Sequence, residues 1–349
     1  MYIAFQILGL VVGMFIFYLL IVALIPGWSV PEQSLKRPDY QSPEKHEPVG
    51  SKKDVKFPVR GTNISAWLFM PENRSGPVPC IVMGHGLGGT KDCGLDKYAA
   101  RFQRAGFAVL AFDYRFFGES GGEPRQLVRI PYQLEDWAGA IEYARSLAEV
   151  DPGKVALWGS SLSGGHVIVM ASRDHEVACV AAQCPGLDGR ATAKWAFERQ
   201  GTWHVLHQVV HGQRDLVRSW LRLSPHKVPL VGKPGTVALM ATPDAYETFG
   251  RIAPKDFINN ACARIIIRGD KYRPVNHARN VRCPVLLQIC DHDNVTPPSA
   301  VQQTTDQLGQ YAEVKHYPIG HFDIYLDANF EQAMTDQVEF FRKHLLLQH

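Results

Sequence analysis

The sequence predicts an α/β fold: a mostly parallel, eight-stranded sheet flanked by helices, with a helical insertion late in the chain and an apolar helix at its start. Three observations carry this. Short apolar runs alternate with helix-patterned stretches from residue 54 onward, residues 186–280 break that alternation, and residues 2–25 hold no formal charge. A chain of 349 residues, 46% hydrophobic and 20% charged, is long enough for one large core plus an insertion.

Residues 2–25 contain Gln6 as their only strongly polar group. At a rise of about 1.5 Å per residue this segment is long enough to span a bilayer. It is too long for a typical signal-peptide core, no basic residue precedes it and no A-x-A site follows, so 1–27 is read as an uncleaved membrane anchor with Tyr18 and Trp28 at an interface. Lys36, Arg37, Lys45, Lys52 and Lys53 come after it, and the positive-inside tendency then places the large domain in the cytoplasm. Glu32, Asp39, Glu44 and Glu47 lie among them, so the bias is modest. Pro26, Pro31, Pro38, Pro43 and Pro48 block a helix, and 28–53 is expected to be an extended tether.

The core is expected over 54–185 and 281–349. Segments 55–59 and 65–70 read as an antiparallel pair, and 79–83, 108–112, 154–158, 177–182, 284–289 and 313–317 as the following strands. Helical patterns occupy 95–105, 131–149, 162–172, 298–309 and 328–346. The last is the clearest, because Phe330, Met334, Val338, Phe341 and Leu345 recur at three- and four-residue spacing. The insertion 186–280 carries Trp195, Phe197, Trp203, Leu206, Val209, Val210, Leu216, Trp220 and Leu221 amid polar residues. It would sit over the strand C-termini, where open α/β sheets bind ligands. A lid over an apolar pocket is the functional reading, and a packing subdomain the alternative.

The net charge of +3 comes without a basic block, which argues against nucleic-acid binding. The seven cysteines are scattered and lack C-x-x-C spacing. Cys80, Cys179, Cys283 and Cys290 lie in or beside apolar runs, where buried free thiols are common. Neither a zinc site nor a disulfide framework is expected, and a single disulfide stays open. No cofactor is implied, and the oligomeric state is open.

The chemistry centres on Gly159-Ser160-Ser161-Leu162-Ser163-Gly164-Gly165, directly after the apolar run Val155-Ala156-Leu157-Trp158. A strand entering a small-residue turn and then a helix can hold a serine hydroxyl on a strained elbow above a sheet. Trp158 ends the apolar run, which favours Ser161 over Ser163 as the nucleophile. A helix capped by serine is the bland alternative. Serine needs a base, a group that orients the base, and donors for the oxyanion. The base would be His321, in the glycine-bearing loop Tyr317-Pro318-Ile319-Gly320-His321-Phe322 after the last strand. The acid would be Asp291 or Asp293, after the preceding strand. The donors would be the backbone amides of Leu162, at the start of the next helix, and of Leu87, in the loop Gly84-His85-Gly86-Leu87-Gly88-Gly89. His85 reads as structural. That loop lacks G-x-x-x-x-G-K-[ST], so it gives little support to a nucleotide site.

Strand-HGLGG, strand-DYR-x-FGESGGEP, strand-GSSLSGG, strand-x-D-NVTPP and GHFDIY together resemble the α/β-hydrolase superfamily over about residues 54–347. The subgroup resembled includes dipeptidyl-peptidase-like and acyl-esterase-like serine hydrolases. The order serine, aspartate, histidine matches that fold. The resemblance favours Asp293, the aspartate before the x-x-x-Pro turn. It also makes Asp113 and Arg115 structural. Two departures are Ser163 in place of the common glycine and Phe116 where glycine is frequent. The expected reaction is two-step acyl transfer through Ser161, His321 and Asp293 on a carboxylic ester with an apolar acyl or alcohol group. An acyltransferase or thioesterase would use the same three residues. A peptidase or a catalytically silent membrane-tethered binding protein ranks lower, and a haloalkane dehalogenase would need an aspartate where Ser161 stands.

Overall fold

The computed structural model describes residues 2–24, 30–31, 33–35, 51–72 and 75–347. Most of the expected tether, 28–53, lies outside the described residues, as do Trp28, Lys36, Arg37 and Lys45. Helix α1 (Tyr2–Leu24) is followed by β1 (Ser51–Val59), β2 (Thr62–Met70), β3 (Val78–Gly84), α2 (Leu95–Arg104), β4 (Ala108–Phe112), α3 (Ile130–Ser146), β5 (Val150–Ser160), α4 (Leu162–Ala171) and β6 (Val180–Gln183). The chain then passes through α5 (Gly189–Gln200), α6 (Thr202–Trp220), β7 (Lys227–Val228), α7 (Pro243–Ile252) and β8 (Ala261–Cys262). It returns with β9 (Val285–Cys290), α8 (Pro298–Leu308), β10 (Ala312–Tyr317) and α9 (Asp327–Leu345).

Eight strands form one sheet in the order β1-β2-β4-β3-β5-β6-β9-β10. β2 is antiparallel to β1 and β4, and the pairs from β4 across to β10 are parallel. The hairpin between β1 and β2 closes through Arg60 and Gly61, both at positive φ (49° and 79°), the handedness that a two-residue hairpin turn needs. All five residues of β4 and all six of β9 are buried, as expected of strands covered on both faces. Because β4 and β5 flank β3 on opposite sides, the chain order reverses there, and the loops after β3 and β5 border one crevice at the strand C-termini.

Several boundaries differ from the sequence expectation. β1 starts at Ser51 because its backbone pairs with β2 out to Met70, whereas its first residues are exposed and give no apolar signal. Lys52, expected in the tether, lies with its ammonium 3.5 Å from the Trp67 ring centre. β5 starts at Val150, whose pairing with Val78 precedes an irregularity that hides it from simple alternation. The segment between β6 and β9 is mainly helical, with β7 and β8 as a small antiparallel pair.

Buried amides tie the sheet to α9. Trp158 Nε1 donates to Gln337 Oε1 at 3.0 Å, and Gln337 Nε2 donates to Gln183 and Gln288, which stand on β6 and β9. Each amide satisfies another, as buried polar groups must.

Candidate active site

Ser161 leaves β5 with φ 55° and ψ −121°, a conformation that a side chain rarely adopts. The strain is held from several sides. Ser161 N donates to Gln183 O at 2.9 Å, and Ser161 O accepts from Gly186 N at 2.8 Å. Gly159 is obligatory, since a Cβ there would stand 2.3 Å from Ser163 O. Gly164 and Gly165 let α4 close on Pro185 and Gly186, where added Cβ atoms would meet backbone at 2.8 and 2.3 Å.

His321 and Asp293 come from the loops after β10 and β9. Asp293 Oδ2 is 2.6 Å from His321 Nδ1, and His321 Nε2 is 3.1 Å from Ser161 Oγ. A carboxylate only accepts, so Nδ1 carries the proton and Nε2 of the neutral ring accepts from the serine hydroxyl. Asp293 also accepts from Val295 N, Thr296 N and Thr296 Oγ1, each at 2.7 Å. Burial alone would raise the Asp293 carboxyl, but the His321 ring and the Thr296 hydrogen bonds hold it below its ordinary value. Burial pushes the His321 pKa down, but the Asp293 carboxylate and the nearby Cys184 sulfur together raise it well above 6.5.

The two pairs of alternatives differ in their partners. Asp291 pairs with His316 at 2.7 Å instead of with His321. Ser163 is buried, with its hydroxyl 2.6 Å from Tyr114 OH, which also accepts from Trp137 Nε1 at 2.8 Å. The hydroxyl that replaces the usual glycine is thus taken up by the core.

Gly86 lies against Ser161, since a Cβ there would be 3.0 Å from Ser161 Cβ, and Leu87 follows it. Leu162 is the first residue of α4, so its amide has no intrahelical partner. Among the described residues neither the Leu87 nor the Leu162 amide is engaged by another acceptor. His85 is structural: its Nε2 donates to Cys93 O at 3.1 Å, and burial lowers its pKa to about 4. Asp113 and Arg115 are structural as well, paired at 2.6 Å with Lys91 and Asp136 respectively.

The inserted segment touches this loop cluster. A Cβ on Gly88 would stand 2.3 Å from Leu230 Cδ2, and Phe249 of α7 meets Phe322, the neighbour of His321, edge-on at 5.9 Å. A cavity of about 470 Å³ borders Asp293, lined also by Cys184, Cys290, Thr296 and Val314. All seven cysteines are buried and free, which excludes the single disulfide left open by the sequence. One of them was not foreseen at the site: Cys184 Sγ lies 3.9 Å from His321 Nε2. Cys184-Pro185-Gly186 carries no motif that would have flagged it.

The sequence model of the X-Pro dipeptidyl-peptidase (S15) family matches residues 60–231. The quorum-quenching protein AidA of Acinetobacter baumannii is 39% identical over 292 residues, covering 83% of this chain and 94% of AidA. The crystal structure of the α/β hydrolase GrgF from Penicillium sp. superposes with a TM-score of 0.71 at 22% identity, covering 85% of this chain and all of GrgF. The chain belongs to the α/β-hydrolase superfamily. A further relative, the thiohydrolase aneE of Aspergillus aculeatus, is 28% identical over 298 residues, covering 81% of this chain and 90% of aneE. This α/β hydrolase is accordingly an enzyme of the hydrolase kind.

Proposed function

We propose that the protein is a membrane-anchored serine hydrolase that cleaves carboxylic esters through Ser161, His321 and Asp293. One observation carries the reading: a serine at φ 55° on a strand-to-helix turn has its Oγ 3.1 Å from His321 Nε2, while His321 Nδ1 is 2.6 Å from a buried carboxylate. His321 takes the serine proton as Oγ attacks the carbonyl, then passes it to the leaving alcohol. Asp293 holds the imidazole tautomer and stabilises its protonated form. The Leu87 and Leu162 amides receive the oxyanion. Water, activated by His321, attacks the acyl-enzyme and releases the acid. The lid reading of 186–280 and an apolar acyl or alcohol group draw support from Leu230 and Phe249 beside the site. α1 serves as the anchor, with the catalytic domain on the cytoplasmic side.

The test is covalent. A fluorophosphonate probe should label the wild-type protein at Ser161, and Ser161→Ala should abolish labelling while Ser163→Ala keeps it. Labelling that survives Ser161→Ala would remove the nucleophile assignment. The thiohydrolase aneE supports a second reading with the same three residues, thioester cleavage or acyl transfer. Hydrolysis of matched oxygen esters and thioesters, with and without alcohol or amine acceptors, separates the two. The name of the AidA relative suggests a role for such a hydrolase, quorum quenching.

A further inference from the structure

α1 ends on α6. Its last turn is buried there, with Val22 1% and Ala23 0% exposed, although most of the helix is bare. Arg214 Nη1 donates to Val22 O and Arg218 Nη1 to Ala23 O, both at 2.8 Å, and Tyr18 OH donates to Gln213 Oε1 at 2.5 Å. The final carbonyls of a helix lack intrahelical donors and sit at the negative end of its dipole, so two guanidinium groups cap α1 well. A helix of 23 residues is about 35 Å long, a little more than the roughly 30 Å apolar thickness of a bilayer. Where α1 spans a membrane, Arg214 and Arg218 therefore lie at the level where hydrocarbon gives way to headgroups.

The rest of α6 suits that level. Helical periodicity puts Trp203, Leu206, Val210, Gln213, Arg214 and Val217 on one face, the face that receives α1. Trp203 is 85% exposed, and Leu206, Trp220 and Leu221 are exposed too, as is Phe197 on neighbouring α5. Apolar side chains grouped this way mark an interaction surface. From Gly189 to Leu223 there are six basic residues against two acidic ones. Exposed tryptophan and leucine beside arginine is the composition of a helix lying in a membrane interface.

We propose that the exposed face of α5 and α6 seats in the headgroup region of the bilayer that α1 crosses, with anionic lipid as its partner. The inference rests on reading α1 as a membrane span. It makes the inserted segment a membrane-seated cover and turns the adjoining site toward substrates dissolved in the lipid.

The test uses the full chain in nanodiscs of phosphatidylcholine and phosphatidylserine, with or without bromine on the acyl chains near the headgroups. Bromine should quench part of the tryptophan emission, and that part should shrink in Trp203→Phe, which removes one fluorophore and keeps an aromatic ring. Quenching unchanged by Trp203→Phe, or protein that stays out of the discs, would overturn the proposal. The readout involves no catalysis, so failure of the ester-hydrolase reading would leave it standing. Trp203→Asp should raise KM for a membrane-dissolved ester while leaving a short water-soluble ester unaffected. An equal change for both esters would also count against the proposal.

Discussion

His321 sets the pH behaviour expected of the site. The proposed base can act only when neutral, and Asp293 together with Cys184 holds its pKa well above 6.5. The kcat/KM profile should therefore fall as pH drops through that raised pKa, with its acid limb above the ordinary histidine value. Asp293→Asn removes the charge that favours the imidazolium, so the limb should move to lower pH while kcat falls about 10⁴-fold from the lost tautomer control. An acid limb that stays in place in Asp293→Asn would detach Asp293 from His321. Ser163 is expected to behave differently, because its hydroxyl bonds Tyr114 in the core. Ser163→Ala should cost about 1–3 kcal/mol in urea unfolding while activity stays near wild type. At this scale the sequence was informative: Ser161, His321 and Asp293 each stand just past a strand end, where local pattern and chain order converge. Cys184 was invisible, since its approach to His321 depends on β6 and β10 delivering their ends to one place, and no spacing records that.

At the scale of elements, the strand-to-helix turn from β5 to α4 concentrates the strain. Gly159→Ala would drive a methyl into the Ser163 carbonyl. The turn must shift, and a displacement of about 1 Å at Ser161, the proposed nucleophile, should lower kcat about 10²-fold with KM less affected. Steady-state kinetics on folded variant checks this, and unaltered kcat would mean that the turn relaxes elsewhere. The loop after β3 is secured by a buried pair, Lys91 and Asp113, with side chains only 3% and 1% exposed. Asp113→Ala leaves that ammonium in the interior without its main partner and should cost about 3–5 kcal/mol, read as a lowered urea midpoint. The order of strands and helices was legible because buried strands read as apolar runs. Strand starts were not, because β1 begins with exposed, charged residues held by backbone pairing alone.

Across the whole molecule, two long-range arrangements connect the parts. One is the amide network of Gln183, Gln288 and Gln337, which joins the sheet to α9. The other is the docking of α1 on α6, almost two hundred residues away in sequence. Neither leaves a periodic trace, because glutamine and arginine are ordinary surface residues until the fold buries them. The apolar character of α1 and of the inserted segment was plain in the sequence, but not that the two meet. That contact ties the N-terminal helix to the inserted segment, which in turn touches the glycine loop beside Ser161.

The most direct measurement is steady-state hydrolysis of a p-nitrophenyl ester by wild type, Ser161→Ala and Ser163→Ala, side by side. Ser161→Ala should lose about 10⁴–10⁶ in kcat while Ser163→Ala retains activity close to wild type. Near-full hydrolysis by Ser161→Ala would contradict the assignment of the serine on which the site is built.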